Sequence, residues 1–329
     1  MDLSIVVPVY NEEENIPLLH DALIAVMTPL SITWEAVLVD DGSRDQSARL
    51  LEDLAQKDPE RFRAVLLRRN FGQTAAIAAG IDHSCGDVVI LMDADLQNDP
   101  QDIPMMLEKI NEGYDVVSGW RARRKDDFLT RTLPSKLANG LISWVTGVHL
   151  HDYGCTLKAY RREVITGYRL YGEMHRFIPV YANSVGAKIL EVPVHHHPRK
   201  FGKAKYGLER TFKVVLDLFT VKFLSSYSNK PIYLFGGTGL VLVLLSGLVL
   251  LYLAIRRIFW GVPVLESPFF QMSTMIFILG FQSILMGLIA ELQVRTYHES
   301  QDKPTYTVRK TVGFPSRDVV DNSSTTNRE

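Results

Sequence analysis

The amino-acid sequence predicts an α/β fold, a mostly parallel sheet with helices on both faces, followed by two membrane-spanning helices. Three features carry the prediction. Between Leu3 and Met92, short apolar β-branched runs alternate with amphipathic or Ala-rich stretches, the pattern of buried strands covered by helices. Each apolar run ends in a polar cluster. Two apolar runs without internal charge, 231–255 and 269–290, follow later, and each exceeds the roughly 20 residues that cross a bilayer core.

The elements follow in order. Residues 3–10, LSIVVPVY, read as a buried strand, and NEEEN at 11–15 as a polar turn opening a helix over 16–28. A second strand over 35–40 ends in Asp40-Asp41-Gly42-Ser43, and a helix runs from there to about Gln56. A third strand, 64–68, ends in Arg69-Asn70-Phe71-Gly72 and leads into an Ala-rich helix over 73–84. A fourth, 87–92, ends in Asp93-Ala94-Asp95. Ligands of open α/β sheets bind beyond the carboxyl ends of the strands, so these polar clusters aim at one crevice. Residues 131–148 and 207–224 carry apolar side chains at three- or four-residue spacing. The second stretch leads straight into the first membrane run, as a helix lying in the membrane interface does.

The expected organisation is an α/β domain over 1–206 and a juxtamembrane amphipathic helix over 207–230. Two membrane helices within 231–291 follow, then a C-terminal segment over 292–329 with a disordered polar end. Lys222, Lys230, Arg295, Lys303, Arg309 and Lys310 flank the spans, whereas the connecting loop has Arg256 and Arg257 opposed by Glu266. The positive-inside rule then places both ends and the large domain in the cytoplasm. A net charge of −1 provides no broad basic field for nucleic acid. The two cysteines, Cys85 and Cys155, form neither a zinc motif nor a disulfide framework. The N-terminus runs at once into strand-like residues, so no cleaved signal peptide is expected.

Asp93 and Asp95 stand two apart at a strand end and share a face. Carboxylates so close repel unless a cation lies between them. Oxygen ligands suit Mg²⁺ or Mn²⁺, and Gln97 could add a carbonyl. Asp40 and Asp41 can accept hydrogen bonds from a base or ribose, with a helix cap as the plain alternative; Glu12 has the same two readings. Three adjacent histidines, His195, His196 and His197, cannot all face one ion from an extended strand. Gly236-Gly237-Thr238-Gly239 is similar to a dinucleotide fingerprint, but inside a membrane run close helix packing explains it better.

Val6-Val7-Pro8-Val9-Tyr10-Asn11-Glu12, Val39-Asp40-Asp41-Gly42-Ser43 and Asp93-Ala94-Asp95-Leu96-Gln97 together resemble glycosyltransferase family 2, with its GT-A, Rossmann-like fold. Arg69-Asn70-Phe71-Gly72, Ser118-Gly119-Trp120-Arg121 and His197-Pro198-Arg199 through Lys205-Tyr206 resemble its polyprenyl-phosphate branch, which includes bacterial glucosyltransferases and dolichyl-phosphate mannose synthase. The resemblance covers about 1–230, and two following spans fit it. It implies that Pro8, Tyr10, Glu12 and Asp40 hold the nucleotide, with Asp41 close by. It places a metal on Asp93, Asp95 and Gln97, and the lipid phosphate on Arg121, Arg131 and Ser135. Arg199 and Lys205 would lie on a mobile loop that closes over the phosphates. Asp152 would sit near sugar and acceptor, as a base or as an orienting group, with a structural turn as the bland alternative.

The implied reaction is inverting transfer of a hexose to an undecaprenyl-type polyisoprenyl phosphate at the cytoplasmic face of the cell membrane. UDP-glucose is the preferred donor, and GDP-mannose or a modified UDP-pentose stays open. The lipid bilayer is a partner, nucleic acid is not, and the resemblance implies self-association as a tetramer. A phosphate monoester has its second pKa near ~6, so the acceptor is already nucleophilic and the demand is for charge management. A processive polysaccharide synthase would add a QxxRW motif and further spans, which this sequence lacks. A non-catalytic sugar-nucleotide sensor would dispense with the metal carboxylates, and both are present.

Overall fold

A computed structural model describes residues 1–122, 133–166, 170, 174–198, 232–261, 263–265, 267–300 and 305–314. The chain divides into two units, Met1–Asp217 with Pro304–Glu329, and Leu218–Lys303.

The first unit is built on one eight-stranded sheet in the order β7-β5-β6-β4-β1-β2-β3-β8. Its strands are β1 (Leu3–Val9), β2 (Trp34–Asp40), β3 (Phe62–Leu67), β4 (Val88–Leu91), β5 (Val116–Trp120), β6 (Lys158–Arg161), β7 (Ile189–Pro193) and β8 (Val308–Val312). β1 pairs in parallel with β2 and β4, β2 with β3, and β5 with β7. β6 lies antiparallel between β4 and β5, and β8 antiparallel to β3. Six strands therefore end at one edge of the sheet, where β6 and β8 begin.

Local chemistry explains the elements. Ile5, Val6 and Val7 of β1 are each fully buried, as a central strand covered on both faces requires. Helix α1 (Ile16–Met27) turns Ile16, Leu19, Leu23 and Met27 inward, an apolar stripe at helical spacing. Helices α2 (Ser47–Lys57) and α3 (Gln73–His83) return the chain from β2 to β3 and from β3 to β4. The small residues Ala75, Ala76 and Ala79 of α3 are buried. Helices α4 (Ile103–Asn111), α5 (Leu133–Thr146), α6 (Arg162–Ile165) and α7 (Ile178–Ser184) follow among the described residues of this unit. On α5, Ile142 is buried while Trp144 is 80 % exposed. The expected strands and helices up to Asp95 are all present.

One element is absent from the sequence reading. Residues 308–312, within the expected tail, rejoin the sheet as β8, with Thr311 opposite Val65. Tyr306 Oη donates to Asp82 at 2.8 Å and Lys310 meets Glu52 at 2.5 Å. Arg309 and Lys310, counted above as charges flanking a membrane span, are thus strand residues.

The second unit contains α8 (Ile232–Trp260) and α9 (Pro268–Ser300). Phe235–Trp260 and Pro268–Ala290 are long and apolar enough to cross a membrane, and both helices run past the ends expected at 255 and 290. Leu244, Leu248, Met275 and Ile278 point outward, as lipid contact demands. The helices meet where a Cβ on Gly239 would lie 2.5 Å from the carbonyl oxygen of Gly280. Ser283 Oγ donates across the pair to the carbonyl of Phe235 at 2.8 Å. Within the Gly-rich run at 236–239, Gly239 therefore provides close packing, whereas a Cβ on Gly237 would meet nothing within 4 Å. The second amphipathic stretch, 207–224, falls outside the described residues.

Candidate active site

The carboxyl-end edge of the sheet gathers the polar clusters. The turns after β1 and β2 are tied together: the Asn11 N–H donates to Ser43 Oγ and the Glu12 N–H to Ser47 Oγ, both at 2.9 Å. The Arg44 N–H returns a bond to Asn11 Oδ1 at 2.8 Å. Asn11 itself has φ 52°, a left-handed conformation that asparagine tolerates. The Glu12 carboxylate accepts from the Asn15 amide at 2.7 Å.

Asp40 closes β2 and is 1 % exposed. Burial raises its carboxyl above the usual range, against the hydrogen bonds of Ser43 and Gly42. Asp41 braces the next turn, accepting the Phe71 N–H at 2.7 Å and the Gly72 N–H at 2.9 Å. Burial outweighs those bonds and pushes it up to about 6, with Asp40 adding repulsion. Directly after Asp41, Gly42 has φ 68°, and a Cβ there would lie 2.4 Å from the backbone carbon of Arg69. Beside this turn is a cavity of about 410 Å³ lined by Asp40, Ser43, Arg49, Arg68 and Arg309, the last supplied by β8.

Past β4, Asp93 Oδ1 accepts from Gln73 at 2.8 Å and Oδ2 from the Thr156 hydroxyl at 2.7 Å. Asp95 is buried, and its Oδ1 accepts the Gln97 N–H at 3.1 Å. Leu96 between them has φ 57°, an unfavourable conformation for leucine. Among the described residues no group of three or more His, Cys, Asp or Glu is placed to hold an ion. Two carboxylates on one turn fall short of a closed cage, which fits Mg²⁺ or Mn²⁺, since Mg²⁺ typically keeps waters and binds substrate phosphates.

Asp152, in the loop before β6, completes the edge. Arg121 grips it twice, Nε to Oδ2 at 2.7 Å and Nη2 to Oδ1 at 2.9 Å. The Gly154 N–H adds a third bond at 3.1 Å. Burial opposes the Arg121 charge, but the Asp152 bonds and charge outweigh it and raise its pKa. Glu191 of β7 holds this loop by accepting the Asp152 N–H at 3.0 Å and contacting His151 Nδ1 at 2.7 Å. The His151 ring stacks on Trp120 with centroids 4.4 Å apart. Under the loop, Lys158 donates to the carbonyls of Tyr153 and Cys155. Full burial draws its pKa down to about 8.

Residues 4–168 match the Glycosyl transferase family 2. The chain is 42 % identical over 313 residues to dodecaprenyl-phosphate galacturonate synthase of Rhizobium johnstonii, covering 94 % of this chain and 93 % of that protein. The chain belongs to glycosyltransferase family 2. A second relative of this glycosyltransferase is undecaprenyl-phosphate 4-deoxy-4-formamido-L-arabinose transferase of Pectobacterium atrosepticum. It is 40 % identical over 312 residues, 94 % of each chain. The fold resembles glucosyl-3-phosphoglycerate synthase from Mycobacterium tuberculosis, solved with Mn²⁺, UDP and phosphoglyceric acid. That likeness has a TM-score of 0.52 at 17 % identity, over 68 % of this chain and 78 % of that one.

In this glycosyltransferase, Pro8, Tyr10, Glu12, Asp40, Asp41, Asp93, Asp95, Gln97, Arg121 and Asp152 all belong to the carboxyl-end edge or its loops. Ser135 falls in the first turn of α5, with its side chain outside the described residues; Arg131, Arg199 and Lys205 lie outside them altogether. The histidines take structural partners: His195 Nδ1 meets Asp102 and His197 Nε2 meets Asp99, at 2.7 and 2.8 Å. Sequence reasoning missed Gln73, Thr156, Glu191 and Lys158. Each stands in an ordinary-looking element, and no local spacing marks it as a partner of a distant loop.

Proposed function

We propose that this glycosyltransferase moves a sugar from a nucleotide diphosphate to a polyprenyl phosphate at the cytoplasmic membrane face, with inversion at the anomeric carbon. The observation that carries the reading is the meeting of Asp40, the Asp93/Asp95 turn and the Arg121–Asp152 pair along one edge, in a chain that also has two membrane-length helices. Relatives named as polyprenyl-phosphate transferases support the acceptor.

Asp40 and the β1 turn, with Pro8, Tyr10 and Glu12, would receive the nucleotide, and Asp41 shapes their floor. Asp93, Asp95 and Gln97 would hold Mg²⁺ or Mn²⁺, which when bound offsets charge on the departing diphosphate. Arg121 spends two of its five N–H donors on Asp152 and keeps others for a phosphate oxygen. The acceptor dianion needs no strong base. Asp152, buried and gripped by a guanidinium, accordingly serves to orient Arg121 rather than to take a proton. Arg131, Ser135, Arg199 and Lys205 are proposed to add phosphate contacts.

The polyprenyl chain stays in the bilayer because each buried CH₂ contributes about 0.8 kcal/mol, so the enzyme is held at the membrane. β3 precedes the helix pair and β8 follows it in one sheet, which supports both ends of the pair lying on one side. Exposed Trp144 on α5 is suited to headgroup depth. In this reading the protein self-associates as a tetramer, checked by mass measurement in detergent.

The relatives above are named for galacturonate and formamido-arabinose, which favours a UDP-linked uronate or the modified UDP-pentose over UDP-glucose as the donor. The test is transfer of radiolabelled sugar to undecaprenyl phosphate in proteoliposomes with Mg²⁺. UDP-glucose, UDP-galacturonate and GDP-mannose are compared, alongside Asp95→Asn. A lipid-soluble product from one donor, lost in the variant, supports the reading. A folded, nucleotide-binding protein that labels no lipid from any donor refutes it.

A further inference from the structure

Arg176 lies in the 3-10 turn Met174–Phe177. Its neighbour fixes the place of that turn: His175 Nδ1 meets the buried Thr74 hydroxyl at 2.7 Å. Thr74 follows Gln73, whose amide donates to Asp93. The turn is thereby tied through the start of α3 to the carboxylate loop.

From this anchor Arg176 reaches Gly154. A Cβ built on Gly154 would lie 3.1 Å from Nη2 of Arg121, 3.5 Å from Oδ1 of Asp152 and 3.7 Å from Nη1 of Arg176. Two guanidiniums thus converge over a residue without a side chain, beside one carboxylate. Lys158 sits beneath the same loop and feels the positive charge of both arginines. Arginine is the side chain best shaped to grip an oxyanion in two places.

We propose that Arg176, facing Arg121 across Gly154, is the second arm of a clamp for a substrate oxyanion and a specificity-determining residue of the transfer. The inference rests on the transferase reading above. The chemistry it recognises is a phosphate or carboxylate group, and two sources offer one: the phosphate monoester of the acceptor, or a uronate carboxylate on the donor sugar.

The experiment measures binding rather than turnover. Full-length parent, Arg176→Ala, Arg176→Lys and Arg176→Gln are titrated in detergent and Mg²⁺ with farnesyl phosphate, UDP-galacturonate, UDP-galactose and UDP. The expected result for Arg176→Ala is a loss of about tenfold or more for one of the first two probes. UDP and UDP-galactose should stay within about twofold, and Arg176→Lys should recover part of the loss. Loss confined to farnesyl phosphate assigns the acceptor, and loss confined to UDP-galacturonate assigns the sugar carboxylate. No change with any probe, a parallel loss with all of them, or a parent that binds neither oxyanion overturns the clamp. If Arg176→Ala does not fold, the comparison of Lys with Gln decides: retention only with Lys supports the clamp, and equal affinities overturn it. A parent that binds these probes yet transfers no sugar sinks the transferase reading while leaving the clamp to be judged on its own.

Discussion

Replacing both members of the Arg121–Asp152 pair should destabilise this glycosyltransferase by clearly less than the two single replacements added together. The Asp152 side chain is 3 % exposed and that of Arg121 20 %, and two charge-assisted bonds of 2.7 and 2.9 Å join them. Asp152→Leu leaves a largely buried guanidinium without its carboxylate, a loss of about 3–5 kcal/mol in comparable buried pairs. Water reaching the exposed fifth of Arg121 places the expectation at about 3 kcal/mol. Arg121→Met takes the guanidinium from the carboxylate, softened by the backbone N–H groups of Gly154 and of residue 121 that stay in place. The double variant removes both charges, and its cost should fall short of the summed single costs by at least ~2 kcal/mol. For a unit of this size each kcal/mol moves the midpoint by roughly 2–4 °C, so Asp152→Leu should lower it by roughly 6–12 °C. The assay is thermal unfolding of the full chain in detergent, followed by tryptophan fluorescence at one fixed scan rate. Single-variant shifts below about 2 °C, or shifts that simply add, would refute the reasoning that the pair is a coupled buried unit.

Four further outcomes follow from the same geometry. Because Asp41 has its pKa raised from the usual 3.8 to about 6, the folded state binds its proton more tightly. Its contribution, on the order of 3 kcal/mol, is full below about pH 4 and lost as pH rises through about 6; Asp41→Asn should flatten that slope in midpoint-versus-pH scans. Gly42→Ala forces a left-handed alanine against the Arg69 backbone and should cost roughly 1–3 kcal/mol, with weaker UDP binding in titration; unchanged affinity argues against a role for this turn in holding nucleotide. Deleting residues 306–329 removes β8, the Tyr306–Asp82 bond and the Lys310–Glu52 pair; it should uncover the β3 edge and promote aggregation, read by light scattering. Thr238 and Ser283 hydroxyls lie 3.3 Å apart, so Thr238→Cys with Ser283→Cys should cross-link α8 to α9; adding Gly239→Leu should abolish the cross-link if close backbone approach holds the pair.

What the sequence by itself determined is local. β-branched runs encode strands, stripes at helical spacing encode helices, and uncharged length encodes membrane spans, because each depends on neighbours a few residues apart. Placement of Asp40, Asp41, Asp93 and Asp95 at one edge was legible for the same reason, since successive parallel strands end on the same side. Pairing over long sequence distances was decided only by the tertiary structure. Arg121 meets Asp152 because β6 runs backwards between β4 and β5, bringing the loop before it to the edge where β5 ends. Thr156 reaches Asp93 through the same folding back, and His175, from the segment between β6 and β7, reaches Thr74. β8 pairs with β3 although both long apolar helices intervene in the chain. No periodicity records such contacts, because they arise from strand order and from the need of buried polar groups to find partners wherever the fold delivers them.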